Sequence, residues 1–258
     1  MILTADLGNS ALKLAAFEGE SCLCLFSLSA RRHTVDEWHL LMKQHFAAAG
    51  ICPENAFGAV LGSVAPHLTE SVKAALVRLC GKEPLVIGAG VKTGLDIRTD
   101  HQAELGADIV ANAVAARQRV LPPFIVADFG TATTVSAVDE NGVFRGVAIL
   151  PGVGSAARDL ARTCANLPEI IPGDPVSLLG KNTRDSLNGG LCFGFAAMAD
   201  ALTDRVKAEI GADSAALIAT GFAAERILPL CKNPFTYVPR LTSEGLARLY
   251  ELNRVRKA

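Results

Sequence analysis

The chain runs to 258 residues, half of them hydrophobic and a fifth charged, which suffices for one large packed domain or two ordinary ones and excludes a disordered chain. Its 25 basic and 26 acidic residues leave a formal net charge of −1, so no broad positive field draws in nucleic acid. Every apolar run is broken well short of the roughly 20 residues that span a bilayer, and Asp6 and Lys13 interrupt any leader-peptide core; a cytoplasmic protein without a membrane partner is expected.

In chain order, residues 2–6 and 11–17 read as strands joined by a Gly-Asn-Ser turn, and 22–28 as a third strand. Thr34-Val35-Asp36-Glu37 has capping-box spacing, so a helix is expected through about Ala48, carrying Trp38, Leu41 and Phe46. Residues 59–63 form a short apolar strand, and 67–80 an amphipathic helix with Val72, Leu76 and Leu79 on one face. Residues 84–87 read as another buried strand, and 103–120 as one long alanine-rich helix. The pattern then restarts. Residues 124–128 and 133–138 are strands around a second glycine turn, Asp139-Glu140-Asn141-Gly142 makes a hairpin, and 144–149 is a third strand. Helices at 155–164 and 186–210, a strand at 215–219 and a closing helix at 244–253 complete the chain. Each half is thus three strands in hairpin order, then helices alternating with single strands, a mixed α/β layer structure. The halves are expected at 1–120 and 121–258, with the boundary at Val120-Leu121-Pro122-Pro123. Seven cysteines, at 22, 24, 52, 80, 164, 192 and 231, include no CxxC pair and read as buried, reduced thiols.

The repeat is most concrete at two aspartates. Ala5-Asp6-Leu7-Gly8-Asn9-Ser10-Ala11 is echoed by Ala127-Asp128-Phe129-Gly130-Thr131-Ala132-Thr133. In each, an apolar run ends in Asp, one apolar residue follows, then Gly and small polar residues. Two such turns facing each other across a cleft can hold the phosphates and metal of ATP. Gly8 leaves room for a close phosphate, and Gly8, Asn9 and Ser10 offer backbone N–H donors. Asp6 can hold Mg²⁺ directly or through water, and Lys13 would neutralise phosphate charge. Alone, this turn also reads as a hairpin with an Asx turn. In the second turn the hydroxyls of Thr131, Thr133 and Thr134 stand beside Gly130, and Asp128 can carry a cation; Thr133 and Thr134 equally suit a plain strand. Asp108, in Glu104-Leu105-Gly106-Ala107-Asp108-Ile109, is either an acid placed by the helix dipole or a base at a cleft edge, accepting the proton of an attacking hydroxyl. Residue chemistry leaves both open. Pro151-Gly152 reads as a structural turn, and Asn182-Thr183 as a helix cap or a substrate contact.

Taken together, these motifs resemble the type III pantothenate kinases, of the actin-like and sugar-kinase superfamily with duplicated ribonuclease-H-like domains. The likeness runs nearly the whole chain. Asp6-Leu7-Gly8-Asn9-Ser10 with Lys13 is similar to the family's first phosphate motif, and Asp128-Phe129-Gly130-Thr131-Ala132-Thr133-Thr134 to its second. Gly62-Ser63-Val64-Ala65-Pro66, Leu167-Pro168, Gly180-Lys181-Asn182-Thr183 and Leu241-Thr242-Ser243-Glu244-Gly245-Leu246, with Tyr250-Glu251 and Asn253, also resemble the family. The resemblance implies that Asp6, Leu7, Gly8, Asn9, Ser10, Ala11, Leu12 and Lys13 line the ATP phosphates and that Thr131 contacts ATP. It implies Asp128 as ligand of a monovalent cation, K⁺ or NH₄⁺, with Mg²⁺ on the nucleotide. Asp108 would be the general base for the pantothenate hydroxyl, with Gly106, Ala107 and Thr183 binding pantothenate. A homodimer is implied, with the substrate site near its interface.

The departures fall mainly on the acceptor side. The family's Arg after Gly-Ala-Asp, which would meet the substrate carboxylate, is Ile109. Its Tyr-Asp is Thr99-Asp100, its Gly-Gly before the Pro-Gly turn is Gly146-Val147, and its late Thr-Gly-Gly, expected near the nucleotide, is Thr220-Gly221-Phe222. The leading expectation is a pantothenate kinase. A kinase of another small hydroxyl acceptor, and a nucleotide-binding paralogue with little catalysis and a regulatory role, are the alternatives.

Overall fold

The structure, a computed structural model, describes residues 1–254. Its elements in chain order are β1 (Ile2–Leu7), β2 (Ala11–Glu18), β3 (Ser21–Ser29), α1 (Val35–Ala48), β4 (Gly58–Ser63), α2 (Pro66–Cys80), β5 (Leu85–Val86), β6 (Asp96–Ile97) and α3 (Ala107–Arg119). There follow β7 (Phe124–Phe129), β8 (Ala132–Val138), β9 (Val143–Pro151), α4 (Val153–Thr163), α5 (Thr183–Ile210), β10 (Ala216–Thr220), α6 (Ala224–Ile227), β11 (Thr236–Tyr237) and α7 (Leu241–Asn253). They fall into two units: Met1–Gly94, Asp100–Ala115 and the residues from Arg240 on form the first, Leu95–Thr99 and Ala116–Pro239 the second.

The first unit is built on a sheet of order β3-β2-β1-β4-β5. β1 is antiparallel to β2 and parallel to β4. Every residue of β1 is buried, as befits a central strand covered on both faces. On one face, Leu3, Ala5, Leu7, Leu12 and Leu14 share a core with Trp38, Met42 and Phe46 of α1 and Val72, Leu76 and Leu79 of α2. The α1 residues recur every fourth position, so one stripe of the helix reaches the sheet. Its N-terminus closes the expected capping box: the Thr34 hydroxyl accepts from the Glu37 N–H at 3.2 Å, and the Glu37 carboxylate accepts from the Thr34 N–H at 2.7 Å, an arrangement worth about 1 kcal/mol. The other face is covered by α7, which packs on β1, β2 and β4. Glycines permit that approach. A Cβ at Gly58 would overlap the Tyr250 ring, and one at Gly62 would stand 2.9 Å from Leu246.

The second unit repeats the plan. Its sheet order is β11-β10-β7-β8-β9-β6; read from β9 to β11 it reproduces β3-β2-β1-β4-β5 with the same parallel and antiparallel senses. Even the bulge near the end of β2, between Ala16 and Phe17, has its counterpart in β8, between Ala137 and Val138. Ile125, Ala127, Phe129, Val135 and Leu217 of this sheet pack with Val153 of α4 and Cys192, Ala196 and Ala199 of α5. These duplicated mixed sheets are the ones expected of two ribonuclease-H-like halves.

Several expectations are corrected. The helix expected over 103–120 begins at Ala107; Gln102–Glu104 is a 3₁₀ turn and Leu105 is extended. Gly106, a poor helix former, breaks the pattern there. The buried strand expected at 84–87 is a two-residue edge strand with Val86 exposed. β6, β11 and α6 escape sequence reading because two to four residues carry no periodicity. The closing helix lies with the first unit, against the expected contiguous 121–258 half, because the glycines of β4 seat it; residues 255–258 lie outside the described residues. All seven cysteines are free, but only Cys80 and Cys192 are buried, and Cys52 is exposed. Among the described residues no helix is long and apolar enough to cross a membrane.

Candidate active site

In the first unit the site grows from the end of β1. Asp6 stands opposite Lys13 of β2 and Gly62 of β4. Asp6, its side chain only 12% exposed, forms an ion pair with the Lys13 ammonium at 3.6 Å. The turn between the strands is tight: the Gly8 N–H donates to the Ala11 carbonyl at 2.9 Å, and the Ala30 N–H to that of Ser10 at 3.1 Å. Asn9 and Ser10 are exposed at its tip, with Gly8, Ala11 and Lys13 half-buried. Leu7 and Leu12, expected with the turn, send their side chains into the core, so only main-chain atoms at those positions face outward. Ser63, at the end of β4, is structural: its hydroxyl accepts from the Ala65 N–H at 3.2 Å and shares a hydrogen bond with Thr69 at 2.7 Å.

Asp108 is delivered to this face by α3. Ala107 lies on Gly62, 3.4 Å from where a Cβ would be. The helix is held against α7, where a Cβ at Gly245 would overlap the Ala111 backbone and the Thr242 hydroxyl donates to the Asn112 side-chain oxygen at 2.8 Å. Asp108 therefore sits in the first turn of α3, its carboxylate accepting from the Ile109 N–H at 2.9 Å. Burial pushes its pKa above the ordinary aspartate value; that N–H, its own N–H and the nearby Lys13 ammonium pull partly the other way. Gly106 is required beside it, since a Cβ there would stand 2.5 Å from the Asp108 carboxylate. Ile109 is buried at 6% exposure and packs toward Gly106, as Val64 does.

In the second unit Asp128 occupies the same slot, at the end of the central strand β7, but opposite Thr134 of β8 and Thr220 of β10. Its turn is braced by neighbouring elements. The Thr131 carbonyl accepts from the Gly152 N–H at 3.1 Å and from the Ser155 hydroxyl at 2.8 Å. Gly152 has no room for a Cβ against the carbonyls of Gly130 and Thr131. Gly221, at φ +97°, presses on Asp128, with a Cβ position 2.5 Å from its carboxylate oxygen. The Thr133 hydroxyl is buried and without a hydrogen-bond partner. Thr99, beyond β6, likewise keeps a buried hydroxyl without a partner. Thr183 opens α5 at the surface, behind Asn182, whose side chain caps the helix by accepting from the Asp185 N–H at 2.9 Å. Arg98, next to Thr99, is engaged with Asp96 at 2.9 Å.

The first unit thus gathers Asp6, Gly8, Lys13, Gly106, Ala107, Asp108 and Ile109, and the second holds Thr99, Asp128, Thr131 and Thr183. Sequence reading passed over Ser155 and Asn112, and read Thr242 and Gly245 only as family-like residues, without their contact to α3. Gly245 inside a helix was the available signal, because glycine there costs about 1 kcal/mol unless something must come close. No group of three or more His, Cys, Asp or Glu side chains gathers among the described residues.

Comparison with known proteins follows the same lines. A sequence profile described as type III pantothenate kinase matches residues 2–205. The type III pantothenate kinase of Moorella thermoacetica is 38% identical over 254 residues, 98% of this chain and 100% of that protein. Among solved structures, the activator of the 2-hydroxyisocaproyl-CoA dehydratase from Clostridium difficile, with bound ADPNP, has a TM-score of 0.59 at 13% identity, covering 98% of this chain and 94% of that one. A ROK family glucokinase from Streptomyces griseus, in complex with glucose and AMPPNP, has a TM-score of 0.50 at 13% identity, covering 97% and 98%. At these identities the structural likeness speaks for the fold alone, the duplicated fold of the actin-like and sugar-kinase proteins.

Proposed function

This chain belongs to the type III pantothenate kinase family, and we propose that it transfers the γ-phosphoryl group of ATP to the hydroxyl of pantothenate, giving 4'-phosphopantothenate, the first step of coenzyme A biosynthesis. The observation that carries the reading is the placement of Asp108: half-buried, raised in pKa, and close enough to Lys13 of the first turn to feel its charge. Phosphoryl transfer asks mainly for positioning and charge neutralisation. As the acceptor oxygen bonds to the γ-phosphorus and the bridging oxygen leaves with ADP, Asp108 takes the hydroxyl proton. The N–H groups at the tip of the Asp6 turn, at Asn9 and Ser10, and the Lys13 ammonium hold phosphate oxygens, while the Gly8 N–H closes the turn on the Ala11 carbonyl; Thr131 meets the nucleotide from the second turn.

Mg²⁺, when bound, would supply positive charge to offset that of the phosphates. Asp6 would hold it, and Asp128 a monovalent cation, potassium or ammonium. The residues fit ions of this kind: each turn offers one carboxylate and no larger cluster, so phosphate oxygens, carbonyls and water complete the shell, as hard cations accept. Gly106, Ala107, Thr99, Ile109 and Thr183 are assigned to the acceptor. A cytoplasmic homodimer belongs to the same reading, supported by the exposed apolar side chains of Ile171, Val176 and Leu179, which assembly would cover.

One observation favours a second reading. Ile109 is buried and apolar where an arginine would grip a carboxylate, which suits another small hydroxyl acceptor. The deciding experiment is ADP release with Mg-ATP and potassium, with and without pantothenate. Pantothenate-dependent release supports the first reading. Release that only another acceptor elicits overturns it for the second, and ATP binding without turnover on any acceptor overturns both for a regulatory paralogue.

A further inference from the structure

We propose that Phe222 is the platform on which the base of the nucleotide stacks, and that it sets this protein's affinity for ATP. A cavity of about 150 Å³ opens in the second unit, lined among others by Val153, Arg158, Ile171, Pro172, Phe222 and Arg226. Both of its walls begin at the second aspartate turn. On one side Gly152 donates to the Thr131 carbonyl, and Val153 follows at once as the first residue of α4. On the other, Gly221 presses on Asp128, Phe222 follows, and the Ala223 N–H donates to the Phe129 carbonyl at 3.1 Å. Two stretches of the cavity lining thus join the second turn through these contacts.

The lining suits a planar heterocycle joined to phosphate. Aliphatic side chains such as Val153 stand beside two guanidinium groups, which keep donors beyond those they spend on Ser155 and on the Pro172 carbonyl. Phe222 is 58% exposed and lines the cavity as a large aromatic side chain. Stacking reads the face of a base rather than its edges, so Phe222 governs affinity and discriminates little between purines.

The inference rests on the nucleotide reading above, and the test separates the two. In steady-state assays Phe222→Ala is expected to raise the KM for ATP about tenfold, with kcat and the pantothenate KM within about twofold, and Phe222→Tyr to restore it. GTP should show the same loss. An unchanged ATP KM in Phe222→Ala overturns the proposal, as does a loss confined to kcat with a lowered melting temperature that Phe222→Tyr leaves unrepaired. Should the wild type turn over no acceptor, the kinase reading fails by itself. Calorimetric ATP binding then decides this proposal: weaker binding by Phe222→Ala supports it, and equal binding overturns it.

Discussion

The two aspartate turns occupy the same slot in two copies of one sheet, yet they are stabilised in different ways. In the first, Asp6 faces Lys13 across the hairpin, and the turn is closed by the Gly8 N–H on the Ala11 carbonyl, with Ala30 after β3 donating to the Ser10 carbonyl. In the second, Asp128 faces Thr134, and the turn is fixed by outside elements: Gly152 and Ser155 on the Thr131 carbonyl, Gly221 on the carboxylate. Duplication conserves the backbone slot and leaves the chemistry free to diverge. A carboxylate balanced by an ammonium suits a phosphate-lining turn, whereas one among hydroxyls and carbonyls suits a cation.

The largest test concerns the helix that sets Asp108 beside the first turn, where we propose that it acts as the base. Asp108→Asn should lower turnover by about 10²–10⁴-fold while ATP still binds; unchanged turnover would remove Asp108 from the chemistry. Next comes the contrast between the braces. Gly221→Ala places a Cβ 2.5 Å from Asp128 at a positive φ and should destabilise the protein by about 2–4 kcal/mol in denaturant unfolding. Gly8→Ala meets only the Ala11 carbonyl, at 3.3 Å, and should cost less than about 1 kcal/mol while raising the KM for ATP. Equal losses would mean the turns are braced alike.

The third prediction is a pH profile. Asp108 must be ionised to act as a base, and its folded pKa lies above the ordinary 3.8, so activity is lost as pH falls through that raised value. Lys13 lowers this pKa; Lys13→Met should therefore move the acid limb of kcat to higher pH, whereas Thr134→Val in the other copy should leave it in place. The smallest effect belongs to Ser155→Ala, which deletes one hydrogen bond to the Thr131 carbonyl and should cost about 1 kcal/mol, read as a modest rise in ATP KM without change in the acid limb.

Much of this was legible beforehand. The echo of Asp6 at Asp128 foretold duplicated sheets, and Thr34 with Glu37 foretold a helix start, because turn and cap chemistry is local. Asp108 was ambiguous for the opposite reason. Its standing depends on burial and on Lys13, 95 positions away in the chain by number, and neither burial nor a distant charge is written in a six-residue window. Ile109 was read as a change to the acceptor pocket; the fold adds that it is buried.

The sequence by itself determined where the two glycine turns fall, which strands pair in hairpins, and that the chain carries kinase motifs, since each is a matter of neighbours along the chain. Tertiary structure alone decided that α7 belongs with the first sheet, that Gly62 and Gly245 let α3 set Asp108 in place, and that Ser155 and Gly221 secure the second turn. Those contacts join residues far apart in sequence, and their strength lies in close packing and desolvation, which exist only once the chain is folded.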